Sequence, residues 1–277
     1  MAPGGIPREA THPGGSAHEV GGAAPAVTAP AHRETFPVHG YEVDAFGLLE
    51  IPALAGYLQE VAGHHAEELG VGLDALRTRG LTWVLGRERL EIASSIVLGD
   101  EVEIETWPSG LDRLAANREF LVRRRDGTEV ARATTVWFVM DLATRRPVRP
   151  DRVLDPRLPR EPSPHVAPLE PGRHAALEQW ELQKRFHVRY SDIDVNQHVT
   201  NTSYVAWALE AAPRDLWLGS RVVALEAHFL AEGGFGSAIL SRLARREDGG
   251  FAHAIVQEED GKELARLVTR WAPRAAP

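Results

Sequence analysis

The chain has 277 residues, a formal net charge of −8 and 43% hydrophobic residues, enough to bury one large core or two medium ones. It contains no cysteine, which excludes disulfides, thiolate nucleophiles and thiolate metal sites. The acidic balance argues against nucleic acid as a partner, and the longest apolar runs are too short to span a membrane. Because residues 1–33 also lack the apolar core of a signal peptide, we expect a cytoplasmic protein without membrane contact.

The N-terminal part of the chain divides into a tail and a first globular unit. Residues 1–33 are rich in Gly, Pro and Ala and poor in large apolar groups, which predicts a disordered tail. A helix is predicted over residues 51–68, with one apolar stripe formed by Leu54, Leu58, Val61 and His65. Alternating segments then predict four strands, at 81–92, 100–107, 117–125 and 129–140.

A proline-rich segment separates this unit from a second one. Eight prolines fall between Pro147 and Pro171, with few apolar residues to bury, which is typical of an extended connector. We therefore place a first domain at 34–146, a linker at 147–180 and a second domain at 181–273.

The most informative segment lies near the start of the second domain. Asp194, Asn196 and His198 occupy alternate positions, and an extended segment would point them to one face. The capping residues 200–202 follow at once, and a helical pattern runs from there to Pro213. A carboxylate, an amide and an imidazole beside a helix N-terminus are suited to acyl transfer to water, so the segment indicates hydrolysis.

An internal comparison indicates a tandem duplication. Residues 126–137 recur as 260–271 with seven of twelve positions identical, and 38–62 align with 188–212 at a shift of 150. Strands predicted at 221–231, 237–244, 252–258 and 263–271 repeat those of the first domain, and one helix with a long antiparallel sheet per copy predicts an α+β architecture.

The two copies differ at the polar positions. Asp44 aligns with Asp194, but Phe46 faces Asn196 and Leu48 faces His198. We therefore expect the chemistry in the second copy, with the first copy free to shape an apolar pocket.

The run 192–201, followed by Tyr204 and Trp207, resembles the second-domain motif of the acyl-ACP thioesterases, which cleave fatty acyl chains from acyl carrier protein. The likeness covers roughly residues 34–272, and first-domain residues occur in a similar order: Trp83, Gly99, Asp100, Thr106, Trp107, Arg118 and Trp137. The resemblance implies a tandem (double) hotdog fold, in which each sheet wraps around one central helix. It also implies that Asp194, Asn196 and His198 are catalytic and that acyl carrier protein is the partner.

One residue of the family pattern has no direct match. Plant members place a further functional glutamate in the strand after this helix, and direct alignment puts Leu230 there. Strand alternation places Glu226, His228 and Glu232 on one face, which makes Glu232 the candidate. Its alternative interpretation is an exposed charge beside a glycine turn.

The expected chemistry needs no cofactor and no metal ion. His198 would take a proton from water, Asn196 would hold water or the carbonyl, and Asp194 would orient groups or act as a base. Trp83 either packs the sheet or lines the acyl pocket. The sequence is also compatible with two other functions, hydrolysis of acyl-CoA and acyl binding without catalysis. The chain is expected to be a monomer or a homodimer.

Overall fold

The structure, a computed structural model, describes residues 31–154, 158 and 164–274. Most of the predicted tail lies outside these residues. The first strand, β1 (His32–Pro37), begins before residue 34, so the predicted start of the first domain is two residues too late. Within the described part of the chain, no helix is both long and apolar enough to cross a membrane.

The first half contains one long helix and a curved run of strands. Helix α1 (Ile51–Glu68) has the predicted bounds, and every residue of its predicted stripe is buried. A short helix, α2 (Leu73–Arg77), follows after the turn at Gly70 and Gly72. The strands are β2 (Leu81–Ile92), β3 (Glu101–Leu111), β4 (Ala115–Arg124), β5 (Glu129–Asp141) and β6 (Pro147–Val148).

The second half repeats this order. Strand β7 (Leu182–His187) precedes α3 (Asn201–Glu210), which begins where Thr200 accepts a hydrogen bond from the Ser203 N–H. A short helix, α4 (Arg214–Gly219), follows Pro213. The remaining strands are β8 (Ser220–Phe229), β9 (Ala238–Arg245), β10 (Phe251–Gln257) and β11 (Glu263–Pro273).

All strands belong to one antiparallel sheet with the order β1-β3-β4-β5-β2-β8-β11-β10-β9-β7, and β6 pairs with β5. The second half of this order repeats the first in reverse, so the join between β2 and β8 lies on a pseudo-twofold axis. Helices α1 and α3 pack against each other, and one apolar core includes buried residues of both. The double-hotdog expectation is therefore confirmed.

Equivalent local contacts confirm the duplication. The indole N–H of Trp137 donates to Thr135 Oγ1 at 2.8 Å, and that of Trp271 donates to Thr269 Oγ1 at 2.9 Å. The turns before these strands each contain a glycine with positive φ, at Gly127 and Gly261.

The proline-rich linker packs on the sheet instead of only connecting the halves. Its first residues form β6, which pairs with β5, so the boundary predicted at 147 lies inside the first half of the sheet. The Val166 N–H donates to Glu119 Oε2 at 3.0 Å, and the Glu170 N–H donates to Glu226 Oε2 at the same distance. Buried carboxylates from the two halves thus hold the linker on the outer face of the sheet.

The predicted alternation along β8 is wrong beyond Phe229. The N–H groups of Leu230 and Ala231 both donate to Leu264 O, which marks a bulge and ends the strand. Glu232 therefore does not continue the face formed by Glu226 and His228. The first half has the same bulge, where Ala93 and Ser94 both donate to Val130 O.

Glu226 is a buried acid at the junction where β8 pairs with β2. It is 2% exposed, and it contacts Arg87 and Arg89 from β2 as well as His228 from its own strand. Burial alone would raise the pKa of Glu226, but hydrogen bonds from His228, the Glu170 N–H, Arg87 and Arg89 lower it to about 2.

This depressed pKa predicts a stability loss in acid. Because the unfolded pKa is about 4.3, the stabilisation is present above that pH and is lost as pH falls from about 5 towards 2. Its size is on the order of 3 kcal/mol, since each pKa unit corresponds to about 1.36 kcal/mol. Urea unfolding of Glu226→Gln at pH 7 and pH 4 should give lower stability at pH 7 and a shallower pH dependence than wild type. The exposed control Glu247→Gln should keep the wild-type slope, and an unchanged slope in Glu226→Gln would refute the assignment.

Candidate active site

The segment that contains the predicted catalytic residues is a tight loop. The Asp194 N–H donates to His198 O at 2.9 Å, and the Gln197 N–H donates to Asp194 O at 3.0 Å. Gln197 has a φ of 64°, in the left-handed region. The extended conformation predicted for this segment is therefore wrong, and loop closure brings the side chains together instead.

The Asp194 carboxylate closes this loop. Its Oδ1 accepts the backbone N–H groups of Asn196 at 2.8 Å and His198 at 3.2 Å, and its Oδ2 accepts Asn196 Nδ2 at 3.2 Å. Asp44 does the same in the first half, where Oδ1 accepts the N–H groups of Phe46 and Leu48. Both aspartates therefore orient a loop, and this geometry favours the orienting role of Asp194 over that of a base.

The amide of Asn196 is fixed from both sides. Its Oδ1 accepts a hydrogen bond from Arg77 Nη2 at 2.7 Å, while its Nδ2 donates to Asp194. Since a carboxylate only accepts and a guanidinium only donates, these two partners determine which end of the amide carries the nitrogen. One Nδ2 hydrogen is left to donate elsewhere. Sequence reasoning missed Arg77, which is 119 residues away and belongs to the other half.

His198 and Glu232 lie side by side. His198 Nε2 is 3.4 Å from Glu232 Oε2, and both side chains are more than one third exposed. Glu232 also forms an ion pair with Arg145, another residue that the sequence reasoning did not select for the site. A neutral imidazole that presents its N–H to this carboxylate has its basic nitrogen at Nδ1.

Tyr204 holds the segment that contains Glu232. Its hydroxyl accepts the Gly233 N–H at 2.8 Å, and the Gly233 carbonyl accepts the Val199 N–H at 3.1 Å. Burial raises the pKa of Tyr204 to about 12, so the phenol keeps its proton. Helix α3 thereby links the position of Glu232 to the loop that ends in His198.

A cavity of about 390 Å³ lies beside the loop. Its lining comes mostly from the first half and includes Asn196 but, among the described residues, neither Asp194, His198 nor Glu232. Trp83 lines it and donates its indole N–H to Val71 O at 2.9 Å. The other apolar residues of the lining are Ala62, Ala66, Leu69, Val71, Leu73, Pro108, Leu111, Ala116, Trp137, Leu154 and Leu158.

One half-buried cation, Arg118, also lines this cavity. Its Nη1 contacts His65 Nδ1 at 2.9 Å and Thr106 Oγ1 at 3.1 Å. Burial lowers the pKa of Arg118 to about 10, and burial together with the Arg118 charge lowers that of His65 to about 4. At neutral pH the arginine is therefore charged and the histidine neutral.

A smaller cavity of about 170 Å³ lies at the pseudo-symmetric position. It is lined by Asp44 and Leu48 from the first-half loop and by Leu209 from α3. Arg274 forms an ion pair with Asp44 at 3.0 Å and stacks over the Phe46 ring at 3.9 Å. This loop has the same backbone hydrogen bonds as the loop at 194–198 but lacks its amide and imidazole.

Three potential metal ligands meet on the outer face of the sheet, a grouping that sequence spacing did not indicate. Ligand atoms of His174, Glu226 and His228 lie within 4.8 Å of one another. Glu226 already contacts Arg87 and Arg89, however, and two adjacent guanidinium groups oppose the binding of a further cation. The donor set fits a linker anchor better than a metal centre.

A duplicated sheet-and-helix unit, with one polar loop beside a largely apolar cavity, defines a tandem hotdog protein of the thioesterase type. The family models for the acyl-ACP thioesterase N-terminal and C-terminal domains match residues 30–155 and 175–273. The chain belongs to the acyl-ACP thioesterase family.

Named relatives agree with this membership. An acyl-[acyl-carrier-protein] hydrolase of Cuphea viscosissima is 30% identical over 88% of this chain and 62% of its own length. An oleoyl-acyl carrier protein thioesterase of Arabidopsis thaliana is 29% identical over 87% of this chain and 76% of its own. The names of both describe chloroplast proteins. The chain thus spans less than two thirds of the first relative.

Solved structures give the same fold. The 12:0-ACP thioesterase from Umbellularia californica superposes with a TM-score of 0.78 at 25% identity, covering 88% of this chain and 98% of the other. An acyl-ACP thioesterase from Bacteroides thetaiotaomicron has a TM-score of 0.75 at 25% identity, with coverages of 87% and 98%.

The contact between Gly233 and Tyr204 predicts a position-specific effect of adding one methyl group. A Cβ on Gly233 would lie 3.2 Å from Tyr204 Oη, Leu264 Cδ1 and Val199 Cγ2, whereas one on Gly234 would meet nothing within 4 Å. Gly233→Ala should therefore lower the free energy of unfolding by about 1–3 kcal/mol, the usual cost of overpacking. Gly234→Ala is the matched control and should change it little. Equal urea midpoints for the two variants would contradict the described packing.

Proposed function

We propose that this protein hydrolyses the thioester of fatty acyl-ACP, which releases a free fatty acid and ends chain elongation. The observation that carries the proposal is the fixed Asn196 amide, which borders the apolar cavity and belongs to the same loop as His198, the partner of Glu232. The cavity volume lies in the range of small-molecule sites, and its apolar lining suits an acyl chain.

The reaction needs an activated water and a donor for the carbonyl oxygen. Water adds to the thioester carbon while His198 accepts its proton, and Glu232 stabilises the imidazolium that forms. Collapse of the tetrahedral intermediate breaks the C–S bond, and the departing thiolate takes the proton. The products are a carboxylic acid and the thiol of the carrier.

Each polar residue has a role in this scheme. Asn196 directs its remaining Nδ2 hydrogen at the carbonyl oxygen or holds the attacking water through the same amide. Asp194 and Arg77 orient that amide. Arg145 and Tyr204 place Glu232.

Removal of the imidazole or the amide should abolish most of the turnover. His198→Ala and Asn196→Ala are each expected to lower kcat by about 10²–10⁴, the usual contribution of an acid–base group or an oxyanion donor. Leu48→Ala alters the equivalent first-half loop and serves as the control, which should keep substantial activity. Thiol release from acyl-ACP, followed with a thiol-reactive dye, measures all three. Wild-type rates in both site variants would refute the assignment.

We also propose that acyl carrier protein, and not CoA, carries the acyl group of the substrate. Family membership and the names of the relatives support acyl carrier protein, whereas the reacting bond would be the same in acyl-CoA. We expect kcat/KM for an acyl-ACP to exceed that for the matched acyl-CoA at least tenfold. A preference for the CoA ester would point to acyl-CoA hydrolysis. Acyl binding without thiol release from either substrate would indicate a non-catalytic acyl-binding protein.

Location and assembly remain predictions. We expect a cytoplasmic protein that is a monomer or a homodimer. Fractionation of the producing cells and light scattering of the purified chain would test these two expectations.

A further inference from the structure

The two cavities are each built across the join between the halves. The larger one combines Asn196, from the second-half loop, with residues of the first-half helix α1. The smaller one combines the first-half loop with residues of the second-half helix α3. The loop of each half therefore faces a cavity wall that comes from the other half's helix.

Two polar residues of the second-half loop have apolar counterparts in the first-half loop. Asn196 and His198 correspond to Phe46 and Leu48 at the shift of 150. When the β-bulges of the two halves are aligned, Glu232 corresponds to Ser95. Ser95 lines the smaller cavity. Asn196 in the lining of the larger cavity, and the His198–Glu232 pair outside that lining, are thus all replaced in the other half.

The helices that line the two cavities show the same difference between a polar and an apolar residue. At the shift of 150, Gln59 of α1 corresponds to Leu209 of α3, and each lines its own cavity. The Nε2 atom of Gln59 is buried and has no hydrogen-bond partner in the part of the chain that the structure describes. A buried amide without a partner costs free energy, and such groups are explained when a ligand supplies the partner. The first-half helix therefore carries an unused donor on a residue that lines the cavity containing Asn196.

We propose that Gln59 is a catalytic residue, which donates its Nε2–H to the thioester carbonyl oxygen from the side of the cavity formed by α1. It would act together with Asn196 on the negative charge that develops on this oxygen when water adds. The inference rests on the proposed hydrolysis and adds a contribution of the first half to the chemistry. It makes the catalytic site a product of both halves.

Gln59→Leu gives this cavity the residue found at the equivalent position of the other one. The variant should lower kcat on acyl-ACP about 10²–10³-fold, the usual effect of losing one oxyanion donor, with little change in KM. Its urea midpoint should equal or exceed that of wild type, because the change removes a buried N–H group that has no partner among the described residues. Gln183→Leu makes the same substitution on an exposed strand and should leave both measurements unchanged.

Gln59→Glu separates a donor from an acceptor. The carboxylate has nearly the same shape but no N–H, so its kcat should fall as far as that of Gln59→Leu. Activity of either Gln59 variant within threefold of wild type would overturn the inference. A fall in kcat accompanied by an equal loss of stability would also overturn it, because a packing role would explain both. If wild type itself releases no thiol from acyl-ACP, the proposed function fails, which is a distinguishable result.

Discussion

The antiparallel pairing of β2 with β8 is the constraint on which the rest of the molecule depends. It joins the two halves into one sheet and relates them by a pseudo-twofold axis. Because of this relation, α1 packs against α3 and each half's loop faces the other half's helix. Glu226, with its two arginine partners from β2, neutralises charge at the join. Neither half on its own contains the complete lining of the larger cavity.

Duplication explains which residues are shared and which differ. Asp44 and Asp194 are both present because each carboxylate closes a loop, a requirement of the fold. The side chains that follow each aspartate do not close the loop and are free to differ. One copy therefore has an amide and an imidazole, and the other has Phe46 and Leu48. Structural residues and chemical residues can therefore be separated by comparing two parts of one chain.

Much of the fold could be predicted from the sequence, because the helix at 51–68 and the repeated strands have strong periodic patterns. The loop at 194–198 was predicted as extended, since no local signal reveals that Gln197 takes a positive φ. The side of the sheet on which Glu232 lies was also predicted wrongly. Two N–H groups share one carbonyl at the bulge, and this breaks the alternation of the strand. Arg77 and Arg145 approach the site from the other half, and such long-range partners leave no pattern of spacing.

Residues beside the smaller cavity also connect the two halves of the molecule. Arg274 follows the last strand of the second half, and it reaches across to Asp44 and Phe46 in the loop of the first. The first-half loop, which lacks the amide and the imidazole, thus links the two halves through an ion pair and a cation–π contact, so this copy contributes cohesion in place of the chemistry proposed for its counterpart.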